Sequence, residues 1–348
     1  MSERPAVRAT APLRISFVGG GTDFPHWFEE RGGAVVSATI DHAVRVAIEP
    51  REDRQVRVRS LDLGHLVEYH LDQGPEYDGV MDLAKAAIER IGVQQGIDVR
   101  IESDAPAGSG LGGSSALVVS MVSALAALRL IPLTADELAR IAHAIEREDL
   151  GIPGGWQDQY AAAFGGFNLI EFSRSEVFVR PLAVDAELLE RLREGLLLCY
   201  SGAVRRHGGL IDAQIRFHHE GREETLLGMK HLHEMAYAIR EAIEGNHLDD
   251  LGPLLREAFE NKKRMNPHVA EDTSIEALLS AAAGAGASGG KICGAGGGGY
   301  LLVACAPERR AAVRGALEAL GGQIARFSFS SDGARARVGE RTWEPVRW

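Results

Sequence analysis

The run Pro106-Ala107-Gly108-Ser109-Gly110-Leu111-Gly112-Gly113-Ser114-Ser115 constrains this chain more than any other segment. It follows a strand-like stretch, Asp98 to Glu102, and precedes a long apolar helical stretch, Ser114 to Leu130. Glycines let a backbone curl closely around a ligand, and a helix N-terminus adds unpaired N–H groups and a positive dipole end. Together they make an anion site suited to phosphate. Two familiar motifs overlap here. Gly108, Gly110 and Gly113 satisfy GxGxxG, but Pro106 parts the strand from the glycines. No acidic residue ends a second strand about 20 residues on, as a dinucleotide fingerprint requires. Gly108 and Gly113 also have P-loop spacing, with Ser114-Ser115 where Lys-Ser/Thr should stand. The loop could then cradle phosphate and offer a hydroxyl to Mg²⁺ without the lysine. The plainer alternative is a glycine-rich turn that caps a core helix.

Two further segments share this character. From Gly294 to Gly299, five of six residues are glycine, between the apolar stretches Lys291 to Cys293 and Tyr300 to Cys305. A hairpin needs one or two glycines. The surplus implies that this backbone approaches something closely, or else forms a flexible tip. Near the start, Arg14-Ile15-Ser16-Phe17-Val18-Gly19-Gly20-Gly21-Thr22-Asp23 sets an arginine among apolar strand residues. Buried without a partner it would be costly, so it either pairs or faces outward. Asp23, after the glycine turn, could accept from ligand hydroxyls or serve as a turn residue or cap.

Chain-wide properties narrow the function. The 348 residues, 45% apolar and 25% charged, suffice for one large core or two ordinary ones. A formal net charge of −11 opposes nucleic-acid binding, which needs a basic surface. Three cysteines, Cys199, Cys293 and Cys305, without CxxC spacing read as reduced thiols. The first residues lack the apolar core of a signal peptide, and Leu117 to Leu128 is too short to span a bilayer. A cytoplasmic protein is expected. Only five lysines occur: Lys85, Lys230, Lys262, Lys263 and Lys291.

Alternation predicts strands at Leu13 to Val18, Ala34 to Ile40, Ala43 to Glu49, Gln55 to Ser60 and Leu66 to Leu71, and a helix at Gly79 to Ile91. Thr134-Ala135-Asp136-Glu137 is a capping box opening a helix with Leu138, Ile141, Ala142 and Ile145 on one face. It leads to the turn Gly151 to Gly155. Beyond Phe172, strands are expected at Leu196 to Tyr200, Lys291 to Cys293, Tyr300 to Cys305 and Gln323 to Phe329, with mostly helix from Arg205 to Lys263 and again from Pro307 to Leu320. Ala281 to Gly290 reads as a helix end running into a loop. A boundary near residues 175–195 divides the chain into domains 1–185 and 186–348.

In this order, the three glycine-rich segments resemble the GHMP kinase superfamily of galacto-, homoserine, mevalonate and phosphomevalonate kinases. Pro106 to Ala116 is similar to its Pro-x-x-x-Gly-Leu-Gly/Ser-Ser-Ser-Ala phosphate loop, and Gly294 to Gly299 to its C-terminal motif. The resemblance runs from about Ala9 to about Phe329. RISFVGGGTD, Arg14 to Asp23, looks most like the branch of D-glycero-D-manno-heptose 7-phosphate 1-kinases. One departure is visible. Where that branch has Thr-Gly-x-x-Arg-Ser, this chain has Ser201-Gly202-Ala203-Val204-Arg205-Arg206.

The resemblance implies an α+β, two-domain fold: an N-terminal domain like ribosomal protein S5 domain 2, a ferredoxin-like C-terminal domain, and a cleft between them. It implies an ATP-dependent sugar kinase. Pro106, Gly108, Ser109, Gly110, Leu111, Gly112, Gly113, Ser114 and Ser115 would hold ATP. Ser115, with Ser114 as alternate, and Glu146 would hold Mg²⁺. Asp158 would serve as base or orienting group, with Arg14 stabilising its charge and that of the moving phosphoryl group. Gly20, Gly21, Thr22, Asp23, Gly296 and Gly297 would meet the sugar. Arg205 and Lys291 are candidates for a phosphate already on it; Arg206 and His207 read as ordinary surface residues. The expected partner is a small-molecule sugar or sugar phosphate, with no nucleic acid, no membrane, and a second copy in a homodimer. The alternatives are a kinase of a free sugar such as fucose or galactose, a non-catalytic sugar and nucleotide sensor, and a nicotinamide dehydrogenase.

Overall fold

The computed structural model describes residues 6–202 and 209–339. Arg205, Arg206 and His207 lie outside the described residues. The strands are β1 (Ala6–Val18), β2 (Gly33–Pro50), β3 (Gln55–Ser60), β4 (Leu66–His70), β5 (Ile97–Ser103), β6 (Phe167–Phe172), β7 (Val177–Pro181), β8 (Leu196–Tyr200), β9 (Ala287–Ile292), β10 (Tyr300–Cys305), β11 (Gln323–Ala325) and β12 (Arg335–Gly339). The helices are α1 (Pro25–Arg31), α2 (Asp82–Ile91), α3 (Gly113–Leu128), α4 (Ala135–Ala144), α5 (Gln157–Phe164), α6 (Ala186–Gly195), α7 (Leu210–His219), α8 (Glu223–Glu244), α9 (Leu251–Met265), α10 (Thr273–Gly284) and α11 (Arg310–Ala319).

A mixed sheet runs β12-β1-β2-β5-β3-β4, with β6 and then β7 joined to the other end of β2. Among the described residues of this sheet, only β3 and β5 lie parallel. The second sheet, β11-β8-β10-β9, is antiparallel throughout. The strand expected from Ala34 to Ile40 and the one from Ala43 to Glu49 are a single strand. The polar pair Asp41-His42 separates the two expected strands, yet β1 pairs on both sides of it, at Arg14↔Thr39 and Pro12↔Ala43, with a register shift between. The shift takes up the extra residues as a bulge and keeps both halves in the ladder.

α3 is apolar nearly all round, and residues such as Val118, Val119, Met121 and Val122 are fully buried. Such a helix belongs inside a protein, and it packs on β1 and β2 with α2, α4 and α5 around it. Each buried side chain of this size contributes about 1.5–3 kcal/mol. One apolar core links both sheets through α8 and α9; a smaller one lies between β8 to β10 and α10 and α11. The Thr134 capping box forms, with Glu137 N donating to Thr134 Oγ1 at 3.2 Å and Thr134 N to Glu137 Oε2 at 2.8 Å. Ala287 to Gly290 is strand rather than loop, because β10 supplies its partners. The stretch expected as strand to Phe329 ends at Ala325. Phe329 instead bridges Ile40, and the chain then crosses to β12 beside β1. Among the described residues, no helix is long and apolar enough to cross a membrane.

Candidate active site

The loop from Pro106 to Gly112 joins β5 to α3. Gly108, Gly110 and Gly112 have φ of +75°, +81° and +76°, where a side chain is strained. The loop rests on two supports from distant sequence: Tyr300 N donates to Ser109 O at 2.9 Å, and Arg14 N donates to Leu111 O at 3.0 Å. The second glycine-rich segment lies directly against it. A Cβ on Gly110 would come 2.7 Å from Cys293 O, and one on Gly299 would run into the Ser109 carbonyl. Gly294 and Gly299, at the two ends of the glycine run between β9 and β10, thus serve backbone-to-backbone contact with the loop before α3. On the loop's other side, a Cβ on Gly113 would meet nothing within 4 Å. No side chain caps the α3 N-terminus, so its first N–H groups remain open to a ligand.

Arg14 is buried and lies beneath this loop. Its Nε donates to Asp158 Oδ1 at 2.8 Å, another guanidinium nitrogen lies 2.7 Å from that oxygen, and a third donates to Gly110 O at 2.7 Å. The expected pairing forms, so the cost of burying the cation is offset. Asp158 sits in the first turn of α5, whose cap position belongs to Trp156; it is not the N-cap. Its side chain is 26% exposed, the open member of the pair.

Glu146 sits where α4 gives way to a π-helical turn, Ile145–Asp149. Such turns re-aim side chains and recur at functional sites. Glu146 is buried, and burial pushes its carboxyl above the ordinary carboxylate range against the opposing pull of Arg147, Ser115 and Gln159. Gln159 Nε2 donates to Glu146 Oε1 at 2.6 Å and to Ser115 Oγ at 3.1 Å, bringing the hydroxyl and carboxylate together. Ser114 is exposed. A hydroxyl and a carboxylate, both hard oxygen donors, suit a largely hydrated Mg²⁺. The cation would also relieve the cost of the buried carboxylate, so these residues fit it.

The residues expected to meet the sugar fall into two groups. Gly20 is partly exposed beside the Gln157 amide. Asp23 is buried, with Gly21 N donating to Oδ1 at 2.9 Å and Gln157 N to Oδ2 at 3.1 Å. Burial raises its pKa, and the backbone donors pull the other way. It ties the first glycine turn to the start of α5. Thr22 is a correction. Its side chain is wholly buried, with Oγ1 donating to Gly19 O and bonded to Ala34 O and N, so it fixes the turn and cannot touch a ligand. Lys291 is a second correction. It is buried, donates to Ser16 O at 2.7 Å, and ties β9 to β1 rather than facing a substrate phosphate. Burial lowers its pKa to about 8, with Arg14 adding to the effect. Gly21 packs on Met265 and Gln214, and Gly296 on Val269; Gly297 is buried at φ +73°.

Three residues escape the sequence reading. Gln159 binds both candidate metal ligands, and its only signal is its place after Asp158. Gln157 accepts from Ser16 Oγ at 3.0 Å. Lys262, on α9, donates to Gly294 O and steadies the second glycine segment. Nothing in the local sequence links Lys262 to a loop 32 residues away.

Known proteins share this chain's sequence and fold. The family model for the GHMP kinases N terminal domain matches residues 79–166, and that for GHMP kinases C terminal matches residues 236–323. The chain is 33% identical to D-glycero-alpha-D-manno-heptose 7-phosphate kinase of Campylobacter jejuni, over 95% of this chain and 98% of the relative. A crystal structure of a D-glycero-D-manno-heptose 1-phosphate kinase from Bacteroides thetaiotaomicron superposes with a TM-score of 0.80 at 31% identity, covering 95% of this chain and 98% of that one. Lactococcus lactis galactokinase in complex with galactose shares the fold, with a TM-score of 0.79 at 20% identity over 95% of each chain.

Proposed function

The chain belongs to the GHMP kinase family, and from that premise we propose that it transfers the γ-phosphoryl group of ATP to the anomeric hydroxyl of D-glycero-D-manno-heptose 7-phosphate, giving the 1,7-bisphosphate. The observation that carries the chemistry is the meeting of Arg14, Asp158, Ser115 and Glu146 around the open end of the glycine loop. The heptose assignment is supported by likeness along nearly the whole length of two relatives named for heptose phosphates.

Phosphoryl transfer rests on positioning and electrostatics. The N–H groups of the glycine loop and the α3 N-terminus would hold the triphosphate. Mg²⁺ held by Ser115 and Glu146 would offset its charge. Both Arg14 contacts to Asp158 fall on Oδ1. Oδ2, free of Arg14, would then face the acceptor hydroxyl, to orient it or take its proton. Arg14 fixes that carboxylate and the loop carbonyl of Gly110 in one frame, so acceptor and phosphate are aligned by a single side chain. Gly20 would line the sugar side, with Asp23 holding the glycine turn behind it. A free sugar such as fucose or galactose is the second reading, favoured by Lys291 being engaged with Ser16.

The test is ADP release from ATP and Mg²⁺ with heptose 7-phosphate, heptose 1-phosphate, free heptose, galactose and fucose. Phosphorus NMR then locates the new ester. Turnover with the 7-phosphate and a new anomeric phosphate is expected. A preference for the 1-phosphate or for a free sugar would overturn the assignment of substrate, and no ADP release with any acceptor would overturn the kinase reading.

A further inference from the structure

Gln159 is wholly buried, and its amide is used unevenly. Its nitrogen donates twice, to Ser115 Oγ and to Glu146 Oε1. Its oxygen, Oε1, is also buried and has no hydrogen-bond partner among the described residues. Turning the amide over would not cure this, because it would set an acceptor against the Glu146 carboxylate and leave both donors unused. The arrangement is therefore forced by the two oxygens it serves. A buried carbonyl left open is kept where a ligand or an ordered water completes it.

The hydrogen-bond inventory of the trio is directional. The Ser115 hydroxyl, which helps to hold the Glu146 carboxylate ionised, accepts from Gln159 and keeps a second Oγ lone pair. Glu146 Oε1 takes the other Gln159 hydrogen, while Arg147 stands 3.5 Å from Oε2. One amide thus sets the separation and facing of a hydroxyl and a carboxylate that come from different helices.

We propose that Gln159 is a positioning residue for the divalent cation: its Nε2 holds Ser115 and Glu146 in a ligating arrangement before nucleotide arrives, and its Oε1 accepts a hydrogen bond from a water in the cation's shell. The inference rests on the assignment of Ser115 and Glu146 as cation ligands. It adds a residue that touches no phosphate and no sugar. Partners of this kind orient metal ligands, and their loss typically costs about 10–100-fold in metal affinity.

Direct cation binding tests this without the sugar or turnover. Mn²⁺ is titrated into the protein with a non-hydrolysable ATP analogue and followed by electron paramagnetic resonance. Nucleotide affinity is measured separately in EDTA. Gln159→Met keeps the volume and removes both polar ends. Gln159→Asn keeps the amide on a stem too short to span both ligands. Both variants should lose about tenfold or more in Mn²⁺ affinity, with metal-free nucleotide affinity unchanged. In turnover assays the Mg²⁺ concentration for half-activation should rise while the acceptor KM at saturating Mg²⁺ holds. If wild type binds Mn²⁺ and either folded variant binds it equally well, the role of Gln159 is overturned and the ligand assignment stands. Equal losses of Mn²⁺ and metal-free nucleotide affinity would make Gln159 a structural residue of the loop, also overturning it. If wild type binds no Mn²⁺ with nucleotide, both the ligand assignment and the inference fall.

Discussion

Gly110 and Gly294 meet at a distance that excludes a side chain on either: a Cβ on Gly294 would stand 2.7 Å from the Cα of Gly110. Each also has positive φ, +81° and +65°. The two glycine-rich segments are therefore one structure, in which the C-terminal segment backs the loop between β5 and α3.

That contact separates two classes of glycine. Gly110→Ala should lose about 2–4 kcal/mol, combining left-handed backbone strain with overpacking, and Gly294→Ala a similar amount. Gly113, with no positive φ and open space beside it, should behave differently. Gly113→Ala should melt within a degree or two of wild type yet bind ATP more weakly, since the new methyl enters the phosphate side. Thermal melts with nucleotide titrations check both. A large fall in melting temperature for Gly113→Ala would refute the distinction.

Asp158→Asn keeps an acceptor for Arg14 and removes the charge. Wherever Asp158 acts in the transition state, kcat and kcat/KM should fall together by about 10²–10⁴-fold, with sugar and nucleotide still bound. Steady-state kinetics and equilibrium titrations decide it. A change confined to KM would assign Asp158 to ground-state binding alone.

Glu146→Gln should separate function from stability. Removing a carboxylate that burial disfavours should leave the melting temperature no lower, while Mg²⁺-dependent turnover is lost. EDTA should likewise abolish turnover of wild type. A variant retaining full activity at low Mg²⁺ would exclude Glu146 from the cation site.

Acid sensitivity should come partly from histidine. Burial, with help from Arg147 and Arg140, lowers the His143 pKa to about 3, and burial beside His218 and His219 lowers that of His26 to about 4. Such groups take up a proton in the unfolded chain near pH 6.5 but not in the native one. Their stability contribution is complete above pH 6.5 and is lost as pH falls toward the folded values. Each adds a slope of about 1.4 kcal/mol per pH unit within its window. His143 stacks on Trp156 at 3.6 Å between ring centroids. His143→Phe keeps the stack and should flatten the slope by about one proton. Urea unfolding between pH 4 and 7 measures this, and an unchanged slope would exclude His143.

Several features were legible locally because their causes are local. The glycine loop before an apolar helix, the capping box at Thr134 and Glu137, the alternation in β3 and the apolar run of β10 depend on residues a few positions apart. Others were misread for the same reason. Ala34 to Ile40 and Ala43 to Glu49 read as two strands because their neighbours did not reveal that β1 pairs across both. Thr22 and Lys291 looked available to ligand because a polar residue's type does not say which backbone groups surround it.

By itself, the sequence determined that this chain would carry a glycine-rich loop before an apolar helix, an arginine among apolar strand residues and a second glycine-rich segment, each with more than one possible setting. Backbone freedom, helix dipoles and the cost of an unpaired charge are properties of short segments. Only the tertiary structure decided that Arg14 reaches Asp158 across 144 positions, that Gly294 backs Gly110, and that Gln159 joins Ser115 to Glu146. Those pairings arise because one packed core brings β1, the α3 N-terminus and α5 together, and that convergence is a property of the whole chain.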